Sequence, residues 1–241
     1  MAGQDKDRRT SRVTRARLYE QLMERILDFV DAEDLRPGDR LPPERDLADQ
    51  FGVSRATLAQ ALVALEVLGV IDVRHGTGAV LVYRPNATTL LRQLHEHRNL
   101  MPDIVEARST IEVKLAALAA ERRTTEDLAE IDAAIEAMAR EIDQGDRGVG
   151  GDERFHGAIT QAAHSGVLSQ MMDFLSERIR ETRIESLGQP GRPQVSLEAH
   201  RAIAEGIRRG DPHEAAAAME RHIAVVSDVP LLLDAEGRAD A

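Results

Sequence analysis

The chain contains no cysteine and no tryptophan, and only two tyrosines and four phenylalanines among its 241 residues. Without thiols, disulfides, thiolate catalysis and every cysteine-based zinc finger are excluded. So few aromatic rings argue against a binder of RNA or single strands, which stacks bases on such rings. Long apolar runs are missing as well. A membrane span needs about 20 residues, and the best candidate, residues 61–71, is split by Glu66. Near the amino terminus stand Asp5, Lys6, Asp7, Arg8 and Arg9, where a secretory signal requires an apolar stretch. With 42% hydrophobic and 30% charged residues the chain is globular rather than disordered. One large or two modest domains are expected, in a soluble cytoplasmic protein without a membrane partner.

An excess of positive charge is also missing, since the formal net charge is −11. Its distribution matters more than its sum. Residues 1–84 carry 13 Lys and Arg against 14 Asp and Glu, whereas the remainder carries 18 against 28. Residues 1–17 alone hold six bases and two acids. The acidity therefore belongs to the C-terminal part, and the N-terminal part is free to meet an anion.

Hydrophobic spacing divides the chain. Residues 1–14 are polar and read as a disordered basic tail. Leu18, Leu22, Ile26, Leu27 and Val30 follow helical spacing, and that helix ends before Arg36-Pro37-Gly38. A second helix is expected to start at Leu41-Pro42-Pro43-Glu44 and to stop at Gly52. A third follows the cap Ser54, with Leu58, Ala61, Leu62, Leu65 and Leu68 as its apolar stripe. Residues 70–73 and 79–82 read as two strands around the turn His75-Gly76-Thr77-Gly78. This order, in residues 15–84, is a winged helix-turn-helix. Residues 85–98 read as a linker. From 99 to 230 the pattern is helical, with amphipathic runs near 102–122, 125–144, 151–164, 167–187, 195–209 and 212–228, giving an all-α bundle. Residues 231–241 read as a flexible tail. The fold class is thus mostly α, with a two-stranded wing.

A helix-turn-helix presents the first residues of its second helix to base edges in the major groove of double-stranded DNA. Those residues are Ser54, Arg55, Ala56 and Thr57. The hydroxyls and the helix start suit phosphate oxygens, and Arg55 can reach a phosphate or a guanine. Arg45 stands where it can clamp the backbone, and Gly76 lets the wing tip approach closely. The segments Leu35-Arg36-Pro37-Gly38-Asp39-Arg40-Leu41-Pro42-Pro43-Glu44-Arg45, Phe51-Gly52-Val53-Ser54-Arg55-Ala56-Thr57 and Gly69-Val70-Ile71 to Gly76-Thr77-Gly78 resemble the DNA-binding domain of the GntR family. The resemblance implies operator contacts from Arg45, Ser54, Arg55, Thr57, His75 and Gly76. One departure stands out: Ala59-Gln60 replaces an Arg-Glu pair common in the family, so one arginine contact to DNA is missing.

In the second part, Asp152 and His156 are four apart and share a helix face, while His200 and His222 lie on the last two helices. Three imidazoles and a carboxylate converging in a bundle suit Zn2+ or another borderline divalent ion. The same spacings also fit a surface pair and satisfied core histidines. Arg108 and Glu112, the run Asp152-Glu153-Arg154-Phe155-His156 and the two late histidine helices resemble the FCD effector domain of the FadR subfamily. That resemblance implies Asp152, His156, His200 and His222 as metal ligands, for Zn2+ first and Ni2+ or Mn2+ as alternatives. It also implies a small organic acid effector completing the coordination, with Arg108 as its anion partner. Ser165-Gly166 stands where many relatives carry Asn-Pro, which changes the shape expected of the pocket.

The leading expectation is a homodimeric transcriptional regulator, a repressor, reading a palindromic operator and releasing it when the acid binds. Two other readings are a metal-dependent hydrolase, since an open metal site can activate water, and a regulator with a purely structural metal.

Overall fold

The computed structural model describes residues 6–74, 76 and 78–227, with side chains from Tyr19 onward. Among them, nine helices and two strands follow in the order α1 (Lys6–Ala32), α2 (Glu44–Phe51), α3 (Arg55–Val67), β1 (Ile71–Arg74), β2 (Gly78–Leu81), α4 (Ala87–Arg122), α5 (Thr125–Asp143), α6 (Val149–Ala162), α7 (Gly166–Leu187), α8 (Arg192–Arg209) and α9 (Pro212–Val226). No helix among these residues is long and apolar enough to cross a membrane. The chain divides into two compact units at Arg98 and Asn99.

In the first unit, Leu22, Met23, Ile26 and Val30 of α1 are buried, as are Leu47 of α2 and Leu58, Ala61, Leu62 and Leu65 of α3. Burial of such side chains from water is the main force closing the three-helix core. Phe29 meets Phe51 edge to face at 6.2 Å. β1 and β2 pair antiparallel, Ile71 opposite Leu81 and Arg74 opposite Gly78. Residues 38–41 add a short third edge that the sequence pattern does not announce. Leu41 N–H donates to Ala79 at 2.9 Å, and Leu81 N–H donates to Asp39 at 2.9 Å.

Two expected boundaries differ. α1 begins at Lys6, so residues 6–14, expected in a disordered tail, are helical. From Lys6 to Ala32 there is neither Gly nor Pro, and Arg, Glu and Leu propagate a helix once it has started. Residues 87–98, expected as a linker, are the first turns of α4. Asn86 Oδ1 caps them, accepting from Thr89 N–H at 2.8 Å. Leu90, Leu94 and His97 recur at helical spacing and are buried. Tyr83 donates to Gln93 at 2.5 Å, and Arg98 pairs with Glu20 at 2.9 Å. The tail at 231–241 lies outside the described residues.

In the second unit, Met101, Ile111, Leu115, Ile131, Phe155, Ile159, Ile179, Ile203, Ile207, Met219 and Ile223 belong to one buried cluster. α5 packs along α6 and α8 along α9. Both pairs approach closely at a glycine. A Cβ on Gly151 would fall 2.3 Å from Met138 Cα, and one on Gly206 would fall 2.8 Å from Ala215 N. Thr124 and Asp127 form a capping box at the start of α5. Asp211 caps α9 through His213 and Glu214 N–H, each at 3.0 Å.

Candidate metal centre and nucleic-acid interface

The groups that would bind metal come from three helices. α6 supplies Asp152 and His156, one turn apart, α8 supplies His200 and α9 supplies His222. All four side chains are buried, and one ligand atom from each lies within 4.8 Å of the others. A Zn2+ ion about 2.1 Å from each ligand would hold its ligands no more than about 4.2 Å apart. The cluster therefore needs to close by roughly half an ångström. Its donors also fit by chemistry: His156 Nε2 and both ring nitrogens of His200 are buried without a hydrogen bond. Nitrogens removed from water in this way are costly unless a partner arrives.

Burial, together with the neighbouring His156 and the positive charge of Arg183, holds His200 well below the ordinary histidine range. Burial and the two neighbouring histidines do the same to His222. Both rings are thus neutral at pH 7, the form a metal requires. Phe155 stacks on the His200 ring at 4.0 Å and fixes its plane.

Around the four residues stands a second layer that the sequence reading does not assign. Glu112 of α4 places Oε2 2.5 Å from His156 Nδ1. A proton on Nδ1, facing that carboxylate, would leave Nε2 as the lone pair for a metal. Burial would raise the Glu112 pKa, but Arg108, His156 and Arg183 outweigh it and hold it well below the usual carboxylate range. Arg183 of α7 places Nε 2.9 Å from Asp152 Oδ2, and Ser196 Oγ lies 3.4 Å from Asp152 Oδ1. Glu112 carries a signal in the sequence, following Arg108 by one turn, whereas no local pattern marks Arg183.

Arg108 is 1% exposed and committed to protein partners. It donates through Nε to Glu112 and through Nη1 to Thr182, both at 2.7 Å, while Nη2 has no partner. Two cavities reach the cluster. One of about 290 Å³ lies between α6 and α7 and is lined by His156, Thr160, Met172, Ile179, Arg180 and Arg183, among others. The other, about 120 Å³, lies between α8 and α9 and ends at His222 and Ser196. Arg108 lines neither.

In the first unit, Ser54 caps α3, accepting from Thr57 N–H at 3.1 Å, and the two hydroxyls lie 2.8 Å apart. Arg55 follows at the first helical position, exposed and without a hydrogen bond or ion pair among the described residues. Arg45 is exposed on α2, beside Asp46 at 3.1 Å. Gly76 sits in the wing turn at φ +71, a conformation that favours glycine. His75 lies outside the described residues. The exposed start of a capped helix with an uncommitted arginine, beside a wing, is the arrangement that enters a major groove.

Comparison with known proteins agrees with both halves. Residues 18–81 match the family of bacterial regulatory proteins named gntR, and residues 103–225 match the FCD domain. The HTH-type transcriptional regulator LutR of Bacillus subtilis is 32% identical over 208 residues, covering 81% of this chain and 93% of LutR. The uncharacterized HTH-type regulator YcbG of the same organism is 31% identical over 224 residues, covering 92% and 94%. A solved GntR-family regulator from Pseudomonas syringae covers 92% of this chain at a TM-score of 0.47 and 22% identity. The matched gntR family and LutR are described as transcriptional regulators, so the hydrolase reading is set aside. The chain belongs to the GntR family of bacterial DNA-binding transcriptional regulators, in the FadR-like group that joins a winged helix-turn-helix to an FCD domain.

Proposed function

We propose that this regulator represses transcription from the cytoplasm and that a small carboxylate, bound at a divalent metal in the second unit, controls its grip on the operator. The observation that carries this reading is the buried group of Asp152, His156, His200 and His222, in which His156 Nε2 and both ring nitrogens of His200 make no hydrogen bond. A Zn2+ ion is the first assignment for a three-histidine, one-carboxylate set, with Ni2+ and Mn2+ as alternatives. When bound, the ion supplies a Lewis-acid seat for a carboxylate oxygen. Glu112 holds the His156 ring in the ligating tautomer, Arg183 and Ser196 orient the Asp152 carboxylate, and Phe155 fixes His200. Arg108 Nη2 is a buried donor without a partner.

On the DNA side, Arg55, Ser54 and Thr57 meet the major groove, Arg45 the phosphate backbone, and His75 and Gly76 the DNA that the wing tip approaches. A homodimer presents two such helices to a palindromic operator about one helical turn apart. The acid regulates by binding more tightly to the state that has let go of DNA.

The test begins with elemental analysis of the purified protein, followed by operator mobility shifts with small acids, with and without chelator. Metal at one per chain, with chelator-sensitive release of the operator by an acid, is expected. Metal with no response of the operator complex to any acid would make the ion structural, and no metal at all would overturn the site.

A further inference from the structure

We infer that the cavity between α6 and α7 admits a short monocarboxylate, with Arg183 as its second anchor beside the metal, and that an acidic mouth rejects dicarboxylates. The inference rests on the metal-and-carboxylate reading above and deepens it by naming the entrance, the anchor and the ligand's charge.

Three observations meet in this cavity. The first is its inner wall, where His156 and Arg183 stand with the apolar side chains of Met172 and Ile179. At about 290 Å³ it is at or just below the roughly 300–1,000 Å³ of sites for drug-sized molecules, so it suits a small metabolite. The second is the state of Arg183, which is 8% exposed. Its Nε faces Asp152 at 2.9 Å; the charges of Glu112 and Glu153 also act on the guanidinium, but no hydrogen bond or further ion pair holds its Nη groups among the described residues. The two Nη groups of a buried fork are left over, and their natural acceptor is a planar carboxylate. Arg108, by contrast, spends two of its three nitrogens on Glu112 and Thr182 and lines neither of the two cavities described.

The third observation is the charge at the mouth. Glu153, Asp173 and Glu177 stand there against one base, Arg180, which already pairs with Glu153 at 3.0 Å. Asp173 and Glu177 are exposed and four apart on α7, facing the same way. A ligand carrying one carboxylate can turn it inward, toward the metal and Arg183. A second carboxylate at the other end would lie among like charges, whereas an apolar, hydroxyl or ammonium end would not. The cavity is therefore positive at its floor and negative at its rim.

Butyrate and succinate, equal in carbon count and differing in one carboxylate, probe this directly. Binding is read by calorimetric titration on the Zn2+-loaded full-length protein, with the metal content checked for every variant. Butyrate is expected to bind at least about tenfold more tightly than succinate at low salt, with the gap narrowing as salt screens the rim. Arg183→Gln is expected to weaken butyrate about tenfold or more, as loss of a charge-assisted bond does. Arg183→Lys keeps the charge beside Asp152 but not the fork, and its partial loss separates anchoring from folding. Asp173→Asn with Glu177→Gln, both on the surface, should improve succinate by a clearly larger factor than butyrate.

Succinate binding as tightly as butyrate would overturn the selectivity. A succinate affinity that ignores the rim double variant would do the same. Unaltered butyrate binding in Zn2+-loaded Arg183→Gln would overturn the anchor. If neither acid binds, or if binding survives removal of the metal, the underlying metal-and-carboxylate reading itself fails, which is a different result from any of these.

Discussion

Replacing Glu112 by Gln probes the layer behind the metal ligands. The side chain is 2% exposed, accepts from Arg108 Nε at 2.7 Å and stands 2.5 Å from His156 Nδ1. Glutamine keeps the volume and one acceptor oxygen but loses the charge. Two consequences follow and can be measured separately. Loss of an outer-shell partner of a ligating histidine costs about 10- to 100-fold in metal affinity, or about 1.4–2.7 kcal/mol. Arg108 meanwhile keeps a buried charge with Thr182 as its remaining polar partner. Stripping one member from a buried ion pair costs about 3–5 kcal/mol, so the metal-free protein should melt roughly 10 °C lower or more. Competition for Zn2+ against a chromogenic chelator reads the first effect, and calorimetry of the metal-free protein reads the second. A Glu112→Gln protein with metal affinity within about twofold of the parent would refute the orienting role, whatever its melting temperature.

Other expectations are simpler. Arg55→Ala, at an exposed helix start, should weaken operator binding by about 1–3 kcal/mol while leaving the thermal melt unchanged; an unaltered mobility shift would remove Arg55 from the DNA interface. Gly151→Ala drives a methyl against Met138 backbone at 2.3–2.4 Å. Because backbone cannot rotate aside, its cost should reach or exceed the upper end of the usual 1–3 kcal/mol for overpacking, and an unshifted melting curve would contradict the close approach of α5 and α6. Asp127→Asn tests the α5 cap. Burial would raise the Asp127 pKa, but hydrogen bonds from Thr124 backbone, His164 and Thr124 hydroxyl hold it below its ordinary value. Its stabilisation is therefore present above the unfolded pKa of about 3.9 and lost as pH falls through the lower folded value. The variant should lose about 1 kcal/mol at pH 7 and progressively less toward pH 3, measured by urea unfolding; an equal deficit at both pH values would reject the assignment.

Much of this was legible before any coordinates. Turn signals at Pro37-Gly38, Gly52 and Gly69 punctuate the winged unit, and strong 3.6-residue periodicity marks the bundle, because both depend on local chemistry. The four residues that converge in the second unit were legible through Asp152 and His156 at one-turn spacing and through resemblance for His200 and His222. What escaped depends on tertiary partners. The segment 87–98 carries Thr88, Thr89, two His and two Arg, weak local helix evidence, and becomes helical through its Asn86 cap and the burial of Leu90 and Leu94. Arg183 looks like any arginine in an amphipathic helix until α6 places Asp152 against it. Glu112 was seen as part of a motif, but its bond to His156 joins residues 44 positions apart, which no window of sequence reports. The edge at 38–41 is invisible for the same reason, since its hydrogen bonds go to β2.

Pro102 inside α4 bears on where this chain can be divided. In mid-helix a proline withholds an N–H from the residue four back and costs about 3 kcal/mol. In a first turn the same defect costs nothing, because the first four N–H groups have no helical acceptor anyway. Asn99, three residues earlier, is a good helix cap and begins the second unit. α4 thus contains a latent second start. A break there parts Leu90, Leu94 and Arg98, which remain with the wing-bearing unit, from Arg108 and Glu112, which remain with the histidine cluster. Cutting in the loop before Ala87 would instead strip that buried leucine surface from its own unit. The severable joint of this protein lies within its longest helix rather than between helices.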